Sequence, residues 1–281
     1  MGLKAIGGTV SPAIRKITPG FFFDFLRWIW HKIVGVLDWW SEARLKISYW
    51  VHLLKGGTFH SWYSETLNDW AKNSKRSDPE VARADKFFME SGAEDLSLLK
   101  GLGLKPEHTF LEYGCGWLRA GNFFINYLNH GNYFGNDPAS ERIRLGREIF
   151  SIRNIEDKAP RFFSNEDNSM TWLEGEKYDY IWSHAVFGHI PLAAIEDIII
   201  NMKKAMHKDS LFLFTYNPIP DSRDNDANAL VEMDVRNFYQ PSAFFERVCS
   251  ENGMKFEVPE DARKGYDTFT QKEVVGVIRL S

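Results

Sequence analysis

Thr109-Phe110-Leu111-Glu112-Tyr113-Gly114-Cys115-Gly116-Trp117-Leu118-Arg119-Ala120-Gly121 is the stretch whose reading decides the fold. An apolar run with a Glu near its end, followed by two glycines one residue apart, reads as a buried parallel strand that stops abruptly and feeds a helix. Glycine tolerates the tight turn and lets a ligand approach bare backbone, so the ligand expected here is nucleotide-like. A dinucleotide fingerprint needs a third glycine three residues after the second. That position is Arg119, which makes pyrophosphate over a helix N-terminus the weaker reading and argues against a nicotinamide oxidoreductase.

Outward from this stretch, strand and helix patterns alternate. A helix is expected near Ala120–Leu128, then a second strand over Gly131–Asp137, ending in an acid about twenty residues after Gly116. At that distance an α/β nucleotide site presents a carboxylate to ribose hydroxyls. A helix over Ser140–Ser151, a short strand Pro160–Phe163 and the loop Ser164-Asn165-Glu166-Asp167 follow. Lys177-Tyr178-Asp179-Tyr180-Ile181-Trp182-Ser183-His184-Ala185-Val186-Phe187-Gly188-His189-Ile190-Pro191 then reads as a fourth strand and its turn. Helix Ala193–Met206 and strand Ser210–Tyr216 complete another crossover. Asn217–Gln240 is too long and polar for a simple connection and reads as a lid or acceptor loop, with Arg223, Arg236 and Tyr239 as its polar candidates. Helix Pro241–Glu251 and strands Lys255–Val258 and Glu273–Leu280 close the chain.

Glu112-x-Gly114-x-Gly116 resembles motif I of the class I S-adenosylmethionine (SAM)-dependent methyltransferases. Tyr178-Asp179 opening a strand, with the turn into Val186-Phe187-x-His189-Ile190, resembles motif IV and the following segment of the small-molecule members. The resemblance extends over Glu112–Tyr216. It departs at Leu118, where that family often has a third glycine, which bears on the shape of the loop. It implies a Rossmann-like, doubly wound, mostly parallel seven-stranded α/β sheet with an antiparallel last strand. The cofactor implied is SAM, with Glu112 facing its cationic end, Gly114 and Gly116 packing on its methionine part, Asp137 on the ribose, and Ser183 beside the cofactor at the end of the fourth strand. An acid in the third loop often contacts the adenine amino group in this family, which points to Asp167; a solvated loop carboxylate is the alternative.

Methyl transfer from SAM is an in-line displacement, so alignment and exclusion of water carry the rate and few residues need react. A hydroxyl acceptor benefits from a base, and histidine titrates near neutrality. His184 and His189 are the candidates, each with a structural role as its alternative. Nucleic-acid base methylation would resemble a family with Asn/Asp-Pro-Pro-aromatic after the fourth strand, where this chain has Ser183-His184-Ala185-Val186. The expected function is therefore methyl transfer to a small-molecule, glycan or lipid-linked acceptor, at oxygen. The competing reading is a non-catalytic module of the same fold that docks a partner or membrane through its N-terminal helices.

The rest of the chain frames this domain. Residues 1–50 carry seven Lys/Arg against three Asp/Glu, and the remainder 27 against 35, so a basic front precedes an acidic body. An acidic body speaks against a nucleic-acid surface. Cys115 and Cys249 are the only cysteines, too few for a disulfide framework or a structural zinc site, and a reducing, cytoplasmic setting is expected. No metal cluster stands out. Seven of the ten tryptophans fall before residue 71. On a helix, Asp24, Arg27, His31, Gly35, Asp38 and Glu42 form one narrow stripe among aromatic and aliphatic residues. Charge interrupts every window long enough to span a bilayer, and no cleavage site follows an apolar core. Residues 20–54 therefore read as an amphipathic segment that lies in a membrane interface or packs on the catalytic domain or a second subunit. Asp78-Pro79 caps a helical stretch over 79–100; in the resembling family such a helix closes over the cofactor. The expected organisation is an aromatic helical extension, 1–77, and a catalytic domain, 78–281.

Overall fold

A computed structural model of the chain describes residues 43–150, 157–164, 170–173, 175–220, 222–229, 231–234, 237–259, 267–268 and 271–281. Asp167, Arg236 and the aromatic stretch 20–42 lie outside them. The chain divides into two compact units, Met1–Thr58 and Phe59–Ser281. Helix α1, residues 43–54, belongs to the first. The expected boundary at residue 77 thus falls inside the second unit, which begins with α2 (Phe59–Asn73).

The second unit is built on a seven-stranded sheet of order β3-β2-β1-β4-β5-β11-β8. Its strands are β1 (Phe110–Tyr113), β2 (Tyr133–Asn136), β3 (Arg161–Phe163), β4 (Tyr178–Ser183), β5 (Met206–Tyr216), β8 (Met254–Glu257) and β11 (Val274–Leu280). The first five pair in parallel, and β11 runs antiparallel between β5 and β8. Order reverses between β1 and β4, which opens a crevice at their carboxyl ends. All four β1 residues are buried, Glu112 among them, because helices cover both faces of the parallel sheet. Leu111, Ile181, Phe212 and Phe214 join the core on one face; Phe110, Trp182, Leu213 and Val277 join the core on the other. Burying each such side chain stabilises the fold by about 1.5–3 kcal/mol.

The Tyr178-Asp179 pair works at the opposite end of the sheet from the crevice. Asp179 accepts hydrogen bonds from the Thr109 amide at 2.7 Å and its hydroxyl at 2.9 Å, pinning the start of β1 to β4. The stretch 79–100, expected as one helix, is three: α3 (Pro79–Ala84), α4 (Lys86–Glu90) and α5 (Gly92–Gly101). Asp78 caps the first through the Glu80 amide. Asp85 is extended, and its carboxylate caps the second through the Phe88 amide; aspartate competes with helical backbone in this way. Gly92 sits so close to the loop after β1 that an added Cβ would lie 2.1 Å from the Arg119 carbonyl oxygen. That approach fixes α5 against the loop.

The segment 217–240 contains a small antiparallel pair, β6 (Val231–Asp234) with β7 (Asn237–Tyr239), and a second pair, β9 (Asp267–Thr268) with β10 (Gln271–Lys272), precedes β11. Gln240 anchors the first pair, accepting from the Asn217 amide at 3.0 Å and donating to the Phe187 carbonyl at 2.9 Å.

Candidate active site

A cavity of about 670 Å³ opens at the β1/β4 switch point. Its floor is the loop after β1. Gly114 has φ +85°, a region that side chains rarely adopt, and an added Cβ would lie 2.2 Å from Val186 Cγ2 on the turn after β4. The amides of Gly114 and Cys115 both donate to the Asn136 carbonyl, at 2.7 and 2.8 Å, binding the loop to the end of β2. Leu118, where the resembling family has glycine, takes the glycine-like φ of 59° itself.

Asp137 follows β2 and is buried against this floor. Its carboxylate accepts from the Gly116 amide at 2.9 Å and the Ala139 amide at 2.8 Å, with Arg142 Nη1 at 3.9 Å. Burial raises its pKa, opposed by Arg142 and the two amides. Glu112, opposite Gly135 in the sheet register, accepts a 2.5 Å hydrogen bond from the Tyr133 hydroxyl. Burial lifts the Glu112 pKa to about 8 against that hydrogen bond, with the charge of Asp95 adding to the rise. At neutral pH it is largely a neutral acid.

Beyond Glu112 lies a charged cluster. Ala185, with φ 53° and its amide held by Thr215 Oγ1 at 2.8 Å, turns the chain after β4 where His184 lines the cavity. His184 Nδ1 lies 2.8 Å from Asp95 Oδ2, and Nε2 lies 3.5 Å from Glu273 Oε2; these side chains are at most 8% exposed. Arg119 Nη2 is 2.9 Å from the same Nδ1 and 3.2 Å from Asp95 Oδ2. One nitrogen cannot both donate to Asp95 and accept from Arg119. The assignment that satisfies every group has Nδ1–H donating to Asp95 and Arg119 donating to Asp95 as well. Burial alone would lower the His184 pKa, but the charge and hydrogen bond of Asp95, helped by Glu273, raise it to about 9. An imidazolium so placed has no lone pair to offer. Two cations, Arg119 and His184, balance two carboxylates, Asp95 and Glu273, around a neutral Glu112.

The roof is aromatic. From α2, Trp62, Tyr63 and Trp70 line the cavity, and Trp70 meets Trp117 edge-on at 6.0 Å with the Arg142 guanidinium 5.3 Å from its ring. Ser64 Oγ donates to the Pro138 carbonyl at 2.7 Å, and Asn68 Oδ1 accepts from the Glu141 amide at 3.0 Å, tying α2 to the segment after β2.

Glu112, Gly114, Gly116, Asp137, His184 and His189 therefore share one cavity. His189 stands half-buried at the end of the short 3-10 turn Phe187–His189. Ser183 is fully buried and does not reach the cavity wall. Neither Arg223 nor Tyr239 lines it; helices α2, α4 and α5 supply the cover expected of 217–240. Asp95, Glu273 and Arg142 are site residues that sequence reasoning missed, and Arg119 entered it only as an absent glycine. Among the described residues no group of three or more His, Cys, Asp or Glu is arranged to hold a metal ion.

No protein-family model and no curated protein matches the chain. Solved structures do. The DhpI–SAH complex matches with a TM-score of 0.51 at 14% identity, covering 77% of this chain and 96% of that one. Magnesium protoporphyrin IX methyltransferase (ChlM) from Synechocystis with bound SAM matches at 0.51 and 15% identity, covering 77% and 96%. A SAM-dependent methyltransferase from Clostridium acetobutylicum matches at 0.51 and 11% identity, covering 78% and 99%. With the sheet order, its antiparallel β11 and the cavity at the switch point, these matches establish the fold of this chain as that of the class I SAM-dependent methyltransferases.

Proposed function

We propose that this chain is a SAM-dependent methyltransferase acting on a small-molecule, glycan or lipid-linked acceptor at oxygen. The observation that carries the reading is the convergence of Glu112, the Gly114–Gly116 backbone and Asp137 on one wall of one cavity. A ligand with a ribose, a sulfonium and an amino-acid tail meets matching chemistry there. Asp137 offers carboxylate oxygens to ribose hydroxyls. Glu112 offers an ionisable acid to the cationic part, and Arg119 with His184 offers positive charge to a carboxylate. The cavity volume, about 670 Å³, lies within the usual range for small-molecule sites. SAM would supply the electrophilic methyl group; the chain's task is to hold it, hold the acceptor in line and keep water out.

His184, expected as a base, is assigned a charge-holding part instead, because both ring nitrogens face carboxylates. His189 remains the candidate base for a hydroxyl acceptor. Asp167 and Ser183 stay secondary candidates for cofactor contact, Ser183 only through a movement that exposes it. Titration calorimetry with SAM, SAH and NAD tests the cofactor: binding of SAM and SAH without NAD is expected, and preference for NAD would overturn the reading. A labelled-methyl assay on fractionated extract then reports the acceptor class. Binding of SAM with no transfer to any fraction would favour the non-catalytic module.

A further inference from the structure

Helix α1 presents an exposed apolar stripe. Ile47, Trp50, Val51 and Leu54 are 63%, 64%, 44% and 86% exposed, and their spacing puts them within an arc of about 100° on one helix face. On the same helical wheel Arg44 and Lys55 border the stripe on one side and Lys46 on the other. No Asp or Glu occurs from residue 43 to residue 64. No described helix is long and apolar enough to cross a membrane.

We infer that α1 is an in-plane membrane-docking helix that seats its Ile47–Trp50–Val51–Leu54 face in an anionic lipid surface. The cations on both borders are where long side chains extend toward headgroups while their stems follow the apolar face. Trp50, with Tyr49 beside it at a centroid distance of 6.3 Å, is a residue type that favours the boundary between headgroups and acyl chains. A second copy fits less well. A two-fold contact would set this patch against itself, bringing cations together with no anion on either helix.

Sedimentation of the full chain with phosphatidylcholine vesicles, with and without phosphatidylserine, tests this. Binding is expected only to the anionic vesicles and should weaken with salt. Ile47→Gln/Leu54→Gln and Arg44→Gln/Lys55→Gln should each lower partitioning by about tenfold or more, with thermal midpoint unchanged as the check on folding. Absence of vesicle binding, or binding that survives both double variants, would overturn the inference. So would light scattering that shows a stable dimer dissolved by the apolar variant.

Discussion

Replacing Glu112 by Gln should stabilise the protein while weakening its ligand site. In the folded chain the Glu112 pKa is raised from 4.5 to about 8, so its protonated form favours the fold below pH 4.5. That advantage is lost as pH rises toward 8, because the unfolded chain can release the proton that the buried site retains. At pH 7 the unfolded group has ionised by 7 − 4.5 units while the folded one has barely begun, a cost of about 3 kcal/mol at 1.36 kcal/mol per unit. Gln does not titrate and keeps an oxygen for the Tyr133 hydroxyl, but its amide hydrogens need acceptors, which returns about 1–2 kcal/mol. The net gain at pH 7 is therefore about 1–2 kcal/mol, or roughly 2–8 °C in Tm for a unit of this size. It should grow toward pH 8.5, vanish between about pH 5 and 6, and reverse below that, where the amide penalty alone remains. Thermal unfolding of both proteins across this range reads the difference, and calorimetry reads affinity. Loss of the ionisable acid should weaken SAM about tenfold, equivalent to about 1.4 kcal/mol. Weakening SAH as much as SAM would place Glu112 at the ammonium group, and weakening SAM alone would place it at the sulfonium. A Tm difference independent of pH, or unaltered affinity for both ligands, would refute the reasoning.

Ligand affinity in the unaltered protein should rise from pH 7 to 8.5 as Glu112 ionises and fall above pH 9 as His184 loses its proton; a flat calorimetric profile would contradict both assignments. His184 also bears on stability. Its raised pKa makes a contribution that is complete below pH 6.5 and lost as pH passes about 9, so the unfolding midpoint should drop across that window, and drop less when His184 is replaced by Gln. Asp95→Asn strips the carboxylate from the buried His184 and the half-buried Arg119, and a destabilisation of about 3 kcal/mol or more is expected. An imidazole titration by NMR unchanged from that of the parent would show that Asp95 does not hold the proton. Gly114→Ala forces a side chain into positive φ and against Val186, costing about 2 kcal/mol or more. Adding Val186→Ala should recover the contact part but not the backbone part, and full recovery of the urea midpoint would mean the φ there is not constrained.

What was legible in the sequence was what neighbours in the chain determine. The strand, the Gly114-x-Gly116 loop and Asp137 are joined through hydrogen bonds spanning at most 22 residues, so their residue types already stand in order. Asp95 meets His184 across 89 positions and Arg119 across 24. In the sequence Asp95 is an ordinary acid in the first turn of α5, where the helix dipole favours one anyway. The close approach at Gly92 holds that helix against the loop. Tyr133 was similarly hidden: an aromatic in a strand is expected in the core, and its hydroxyl meets Glu112 only through the β1–β2 register.

Leu118 shows why a mismatch with a family pattern need not change a loop. The left-handed backbone costs a non-glycine residue about 1–2 kcal/mol. The side chain is fully buried beside Cys115 and Ile143, and burying a leucine contributes about 1.5–3 kcal/mol. The second quantity offsets the first, so the chain keeps the conformation that glycine would adopt more cheaply and gains a packed contact between the loop and helix α6 (Ser140–Ile149). Leu118→Gly should accordingly destabilise: it relieves the smaller quantity and forfeits the larger, with a cavity added. A variant more stable than the parent would mean that backbone strain, not packing, dominates at this turn.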